Sequence, residues 1–323
     1  MSFSSEVKEE LSRQVSTARH CQLAEMAALI GMCGDICISA TDRYSLRIHT
    51  ENQSVARKCF TLLQKTFNIR SDVSVRLQKR DGRGNMIFTI LVKRHDDAIR
   101  VLQAVKILQQ DGEISEQVSP ANQLLVQMSC CRRAFIRGAF LAAGAISDPV
   151  KSYHFEISCT SEARAEQLRM LIRPFGPDAK IVKRKKYYIV YIKEGAQIVD
   201  MLNIMEAHVS LMKLENIRIV REMRNEVNRK VNCEAANINK TVNAAVKQVE
   251  DIRYLDKVRG LGTLPEGLAD IAQLRLENPD ASLKELGMML NPSIGKSGVN
   301  HRLRKISQLA EELRQSKEEN YYD

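Results

Sequence analysis

The stretch CRRAFIRGAFLAAGAI, residues 131–146, and a fainter copy of it, AEMAALIGMCGDI at residues 24–36, decide the fold. The first reads as a helix opened by Ser129 as a cap, with no proline inside. Gly138, Ala142 and Ala145 fall on one face, with Ala139 and Ala143 beside them; Ala28, Gly31 and Gly34 play the same part in the earlier copy. Gly34 and Gly144 are 144 − 34 = 110 positions apart, and Tyr44 and Tyr153, which open the next alternating segments, are 153 − 44 = 109 apart. An interior glycine weakens a helix by up to about 1 kcal/mol, so glycines here need a reason. Close backbone approach supplies one: small-faced helices can pack at the short end of the usual ~8–10 Å spacing. The first two-thirds of the chain therefore reads as a duplicated unit closed around a helix pair.

At 323 residues the chain can build two or three domains with a substantial core. Glycine and proline are sparse and tryptophan is absent, a globular composition. A net charge of +10 favours a polyanionic partner without choosing between nucleic acid and a membrane surface. No apolar run approaches the ~18 residues needed to cross a bilayer. The start, MSFSSEVKEEL, lacks a basic-then-apolar leader and places Ser5 as an N-cap, so a cytoplasmic protein is expected, with no membrane partner. Eight cysteines show no zinc spacing: Cys33 and Cys37 are four apart, Cys130 and Cys131 are adjacent, and no second CxxC or HxxxH follows. Reduced, mostly buried thiols are expected, with no metal and no cofactor.

In chain order, residues 5–17 read as a lead-in helix with Val7, Leu11 and Val15 on one face. After the helix at 24–34 come strands at 36–39 and 44–49 around the turn Thr41-Asp42-Arg43. Thr50 and Gln53 form a capping box for a helix carrying Val55, Phe60, Leu62, Leu63 and Phe67. A strand with Val73, Val75 and Leu77 inward turns at DGRGN, residues 81–85, into its hairpin partner at 86–92, and a helix covers 95–108. The second repeat keeps this order: a turn at Asp148-Pro149, a strand at 153–158, a helix at 161–173 stopped by Pro174, strands at 179–183 and 187–192, and a helix from about Glu194. Two α/β units of nearly equal length are a strong internal repeat.

From about His208 the pattern changes to a helix over 209–231 with Leu211, Leu214, Ile217 and Val220 inside. An asparagine-rich stretch, NRKVNCEAANINKTVNAAV, follows; its amides could reach phosphates or base edges, or face solvent and neighbouring domains. Beyond Gly262, Thr263 and Glu266 suggest a capping box for a helix to about Glu277, and Ser282 with Glu285 another for SLKELGMML. The turn NPSIGKSG leads to a last helix from about Ser297, with Val299, Leu303, Ile306 and Ala310 on one face. The opposite face presents Ser297, Asn300, His301, Arg304 and Lys305, flanked by Lys296 and Arg302. Three short helices ending on a basic, amide-bearing face match a helix-turn-helix, and arginine and asparagine suit bidentate contacts with guanine and adenine edges. The connection of 291–296 is longer than the usual 3–4 residue turn.

SFSSEVKEEL, FIRGAFLAAGAISDP, NRKVNCEAANINKTV and SLKELGMMLNPSIGKSGVNHRLRKI together give the chain a resemblance, over essentially its full length, to the bacterial WhiA family. The resemblance implies a DNA-binding regulator tied to sporulation, cell division or chromosome segregation. It also implies an N-terminal part similar to LAGLIDADG homing endonucleases and a C-terminal helix-turn-helix. In such endonucleases the acidic residue before the last glycine of each motif helix holds the divalent metal. Ala143 and Cys33 stand on those seats here, and neither is the oxygen ligand a magnesium site requires. Asp35 lies past the glycine and Asp148 beyond the helix.

The expected fold is α+β: a duplicated LAGLIDADG-like domain of two helix–strand–strand–helix–strand–strand–helix repeats, with an all-α helix-turn-helix domain. Boundaries are placed at 1–115 for the first repeat with its lead-in helix, 116–207 for the second, 208–262 for an asparagine-rich helical linker and 263–316 for the helix-turn-helix domain, its motif at about 281–314. The expected function is a non-enzymatic, nucleoid-associated transcription regulator acting on double-stranded promoter DNA. Lys296, Ser297, Asn300, His301, Arg302, Arg304 and Lys305 are the DNA-binding candidates. Secondary contacts fall on Lys183, Arg184, Lys185 and Lys186, on Arg229, Asn232, Asn239 and Lys240, and on Arg76, Lys79, Arg80 and Arg83 of the first hairpin. A metal-dependent endonuclease, or a platform docking a second regulator, RNA polymerase or a small ligand, are the alternatives.

Overall fold

The structure, a computed structural model, describes residues 2–40, 43–80, 83–108 and 121–319, including side chains except those of 77–80, 83–85 and 317–319. The turn at Thr41-Asp42, the apex of DGRGN and the side chains of Lys79, Arg80 and Arg83 lie outside the described residues. The chain divides into two compact units, Met1–Glu222 and Met223–Asp323.

The first unit opens with α1 (Phe3–Arg13), whose Phe3, Val7 and Leu11 are buried. Its cap is Ser2, not Ser5: Ser5 donates its amide to the Ser2 hydroxyl, because burying Phe3 draws the cap 5 − 2 = 3 residues earlier. The first repeat comprises α2 (Arg19–Cys33), β1 (Gly34–Ile38), β2 (Tyr44–Thr50), α3 (Gln53–Phe67), β3 (Asp72–Arg80), β4 (Arg83–Val92) and α4 (His95–Ala104). The second comprises α5 (Ser129–Ala143), β5 (Gly144–Ile146), β6 (Phe155–Cys159), α6 (Glu162–Ile172), β7 (Lys180–Arg184), β8 (Tyr187–Ile192) and α7 (Gly195–Met205). The sheets are antiparallel with matching orders, β1-β2-β4-β3 and β5-β6-β8-β7. The duplicated α+β architecture is as the sequence implied.

The helix pair is as close as its small residues suggest, and among its glycines Gly138 marks the approach. A Cβ on Gly138 would lie 2.5 Å from the Glu25 carbonyl oxygen and 2.9 Å from the Ala28 Cβ. Ala28 and Gly138 are themselves 138 − 28 = 110 apart, so α2 and α5 cross where the repeats are equivalent. Gly31 has nothing within 4 Å of such an atom and takes no part in the approach.

Several local expectations give way to tertiary context. Asn52, not Thr50, caps α3, its side chain accepting from the Ser54 and Val55 amides. Met128 and Pro265 stand at the caps assigned to Ser129 and Thr263, without a side-chain bond. Gly144–Ile146 pairs with β6 as a three-residue strand, too short to carry an alternating signal. Val73 and Val75 are 47% and 53% exposed, because β3 is the sheet's edge and only its β4 side is paired. The helix expected at 209–231 and the helical linker expected over 208–262 are one helix, α8 (His208–Arg259), and Val220, expected inside, is exposed on it. Glu10 caps the start of α8, accepting from the Val209 and Ser210 amides at 2.8 and 2.9 Å.

The second unit holds the end of α8 with α9 (Glu266–Glu277), α10 (Leu283–Met289) and α11 (Lys296–Glu319). Ile252 and Leu255 of α8 join Leu268, Ile271, Leu286, Val299, Leu303 and Ile306 in its core. Among the described residues, no helix is long and apolar enough to cross a membrane.

Candidate nucleic-acid interface

The candidate reader is α11, and the sequence around it explains how it is held. Ser282 and Glu285 form the expected capping box at α10: the Ser282 hydroxyl accepts from the Glu285 amide, and the Glu285 carboxylate accepts from the Ser282 amide at 2.7 Å. These bonds hold the Glu285 carboxyl below its ordinary pKa. Between α10 and α11 the six residues 290–295 fold back, and the Ile294 amide donates to the Gly287 carbonyl at 3.0 Å. A Cβ on Gly287 would sit 2.2 Å from the Ile294 carbonyl oxygen, so only glycine admits this turn. Buried Arg275 donates to the Pro279 and Ala281 carbonyls at 3.2 and 2.6 Å, tying the turn between α9 and α10. Desolvation pulls its pKa below the usual arginine value. Arg314 pairs with buried Asp251 of α8 at 2.8 Å and lies over the Tyr254 ring.

On this frame Val299, Leu303, Ile306 and Ala310 are buried, as their spacing required. Lys296, Ser297, Asn300, His301, Arg304 and Lys305 are exposed. Among the described residues Lys296, Arg304 and Lys305 form no ion pair within the chain. Arg302 does not join them: it is half-buried and donates to the Gly267 carbonyl at 3.1 Å, holding α11 against α9.

The secondary candidates separate into three places. Lys183, Arg184, Lys185 and Lys186 are exposed around the β7–β8 turn, where Lys183 lies over the Tyr188 ring and Lys186 over the Tyr187 ring. Arg184 also reaches Glu156 at 3.5 Å, so part of its charge is answered internally. Arg76 is exposed on β3. Arg229, Asn232, Asn239 and Lys240 are exposed on α8, with every neighbour from 222 to 244. The asparagine residues there are exposed, and the Asn237 amide donates to the Cys233 sulfur at 3.8 Å.

At the C-terminal ends of α2 and α5 lie the seats that endonucleases of this fold fill with acids. Cys33 donates to the Leu29 carbonyl, and burial pushes its pKa up to about 12 against the opposing pull of Lys8. Lys8, its pKa lowered by burial, lines the open depression beside Ala142, Asn52 and His49. Asp35, the residue after the glycine, lies near enough to Cys33 to add to the rise in its pKa and contacts His49 at 3.3 Å. A protonated thiol, a methyl group and a nearby ammonium do not fit a hard divalent cation, which takes oxygen ligands.

Three family models match successive parts of the chain: the WhiA N-terminal LAGLIDADG-like domain over residues 19–108, the WhiA LAGLIDADG-like domain over 132–224 and the WhiA C-terminal HTH domain over 227–310. A protein of Lachnoclostridium phytofermentans named "Probable cell division protein WhiA" is 54% identical over 98% of this chain and all of its own. The chain belongs to the WhiA family. A WhiA relative of the same name from Alkaliphilus oremlandii is 49% identical over 99% of the chain and all of its own. The crystal structure of full-length DUF199/WhiA from Thermatoga maritima is 26% identical and superposes with a TM-score of 0.57, covering 97% of this chain and 99% of that one. The WhiA matches make residues 227–310, from within α8 into α11, a helix-turn-helix domain and the two repeats LAGLIDADG-like.

What the sequence did not reveal in this WhiA-family chain is the ionic centre joining the repeats. Glu25 of α2 is fully buried and meets Lys58 of α3, also fully buried, at 2.9 Å and Arg137 of α5 at 3.1 Å. Arg137 reaches on to Glu206 at 2.7 Å, and Lys58 donates to the Gln14 and Leu11 carbonyls. Burial lowers the Lys58 pKa against the pull of Glu25; for Arg137 the carboxylates of Glu25 and Glu206 outweigh burial and hold its pKa above the ordinary value. One acidic residue inside the apolar run AEMAALI was the available signal.

Proposed function

We propose that this WhiA-family chain is a sequence-specific DNA-binding transcription regulator, with α11 reading bases in the major groove. The exposed Lys296, Ser297, Asn300, His301, Arg304 and Lys305, opposite a buried apolar stripe on α11, carry the reading. Lysines of the β7–β8 turn and α8 add sequence-independent affinity for phosphates. Arg302 is assigned to packing. The names of the relatives support a role in cell division, which extends in this reading to chromosome segregation or sporulation through promoter binding on the nucleoid. In domain terms the repeats of 1–115 and 116–207 form the scaffold, 208–262 the connecting helix and 263–316 the reader.

The scaffold is proposed to have no nuclease activity, on the ground that Cys33 and Ala143 stand where a metal-dependent mechanism needs acids and Lys8 lies beside Cys33. The test begins with selection of bound fragments from a genomic library, followed by anisotropy titrations of wild type and Asn300→Ala/Arg304→Ala on the selected site. Loss of the preference for that site over random duplex in the double variant supports the reading; equal preference removes α11 from it. Plasmid incubated with the protein and magnesium or manganese should remain supercoiled, and nicking that a chelator abolishes would restore the endonuclease.

A further inference from the structure

Besides the helix-turn-helix, the fold builds a second chemical constellation at the opposite ends of the twin helices from the endonuclease seats. His20 and Cys21 are the second and third residues of α2; Cys130 and Cys131 are the second and third of α5. The pairs are 130 − 20 = 110 and 131 − 21 = 110 positions apart, the same offset that relates Gly34 to Gly144. The crossing of α2 and α5 therefore brings equivalent dipeptides together. The imidazole nitrogen and three sulfurs all lie within 4.8 Å of one another. His20 Nδ1 is 3.2 Å from the Cys131 sulfur, 3.3 Å from that of Cys21 and 4.0 Å from that of Cys130.

We propose that His20, Cys21, Cys130 and Cys131 form a closed, tetrahedral binding site for one zinc ion. Zinc bonds of about 2.3 Å to sulfur and about 2.0–2.1 Å to nitrogen imply tetrahedral edges of ~3.5 Å from nitrogen to sulfur. The three observed nitrogen–sulfur distances bracket that edge. Three thiolates and an imidazole form a set found in structural zinc sites, with no position left for water and no oxygen donor to favour magnesium or calcium. An iron–sulfur cluster would hold bridging sulfides between its ligands and so needs donors farther apart than these.

The surroundings suit the charge. Three thiolates around a dication carry one net negative charge, placed at the first turns of two helices whose free N–H groups favour anions. Neither helix has a side-chain cap or an acidic residue in its first turn, so no carboxylate or hydroxyl competes for those groups. Cys21 and Cys131 are buried while His20 and Cys130 are exposed, which leaves the ion a way in. Bound there, zinc joins the first repeat to the second at one end of the helix pair, as the Glu25–Arg137 pair does farther along. Its role is structural, and it is separate from the seats at Cys33 and Ala143.

The test uses the full chain, expressed with zinc in the medium and purified under reducing conditions without chelator. Elemental mass spectrometry should find about one zinc per chain. Replacement by cobalt(II) should give thiolate-to-cobalt charge transfer and the intense visible bands of a tetrahedral ion. Cys130→Ser and His20→Ala, both at exposed positions, should lose the zinc and the cobalt spectrum while circular dichroism shows an unchanged fold; Cys233→Ser should keep both. Removing zinc should lower the melting temperature of the wild type and leave that of the Cys130→Ser variant where it was. A reduced wild type that binds neither metal, variants that bind as the wild type does, or peptide mapping that finds Cys21 joined by a disulfide to Cys130 or Cys131 would each overturn the site.

Discussion

Glu25 is a residue whose neighbours determine what it can be replaced by. Both of its cationic partners are buried with it, so removing the carboxylate leaves Lys58 and Arg137 without their principal counter-charge in the core. Breaking such a pair from one side costs about 3–5 kcal/mol. Glu25→Ala should therefore lower the unfolding free energy by that order in a urea titration, while Glu6→Ala, which loses only the exposed contact to Lys213, should change it by under about 1 kcal/mol. Cys159 gives a pH signature at the same scale. Burial pushes its pKa from 9.0 to about 11, offset in part by Arg164. The folded protein thus keeps a proton that the unfolded chain releases from about pH 9 upward. Its stabilising contribution is complete below pH 9 and is lost as pH rises through 11, by about 3 kcal/mol in all. Unfolding measured from pH 8 to 11 should show a decline to which the other buried thiols add, and Cys159→Ala should make it shallower by about 3 kcal/mol.

At the scale of elements, two close approaches set what the helices tolerate. Gly138→Ala places a methyl 2.5 Å from the Glu25 carbonyl oxygen, so α2 and α5 must separate. Overpacking of this kind costs about 1–3 kcal/mol and should appear as a lowered melting temperature, whereas Gly31→Ala, facing open space in a helix, should be neutral or stabilising. In α11, the apolar stripe is buried and the polar face is free, so Asn300→Ala or Arg304→Ala should leave melting unchanged. If Arg304 contacts a guanine, its loss should weaken binding to the preferred site by roughly 1–3 kcal/mol and relax preference at one base pair. Arg302→Ala should do the reverse, lowering stability through its lost bond to Gly267 while leaving base preference intact. A variant pattern with those two outcomes exchanged would place the reading face elsewhere on the helix.

For the whole molecule, the net charge of +10 makes DNA affinity a function of salt. Binding should weaken as a power of salt concentration. Substituting Lys183, Lys185 and Lys186 by glutamine should reduce that slope without altering which sequence is preferred, the expected result for phosphate contacts; an unchanged slope would remove the β7–β8 turn from the contact surface.

The sequence by itself determined the duplicated order of elements, the twin helices and the apolar stripe of α11, because periodicity and an internal repeat are written along the chain. The capping box of Ser282 and Glu285 was legible for the same reason: its partners are three residues apart. Tertiary structure decided which face and which neighbour each residue met. It left Val73 and Val75 uncovered on an edge strand and turned Arg302 from the flank of the basic face into the packing. It also joined Glu25 to Arg137, 112 positions away, and His20-Cys21 to Cys130-Cys131. Spacing rules for ligands or ion pairs work only where the partners share a turn or a hairpin. Here the repeat offset and the packing of α2 on α5 supplied the proximity, and only folding brings residues that distant within bonding reach.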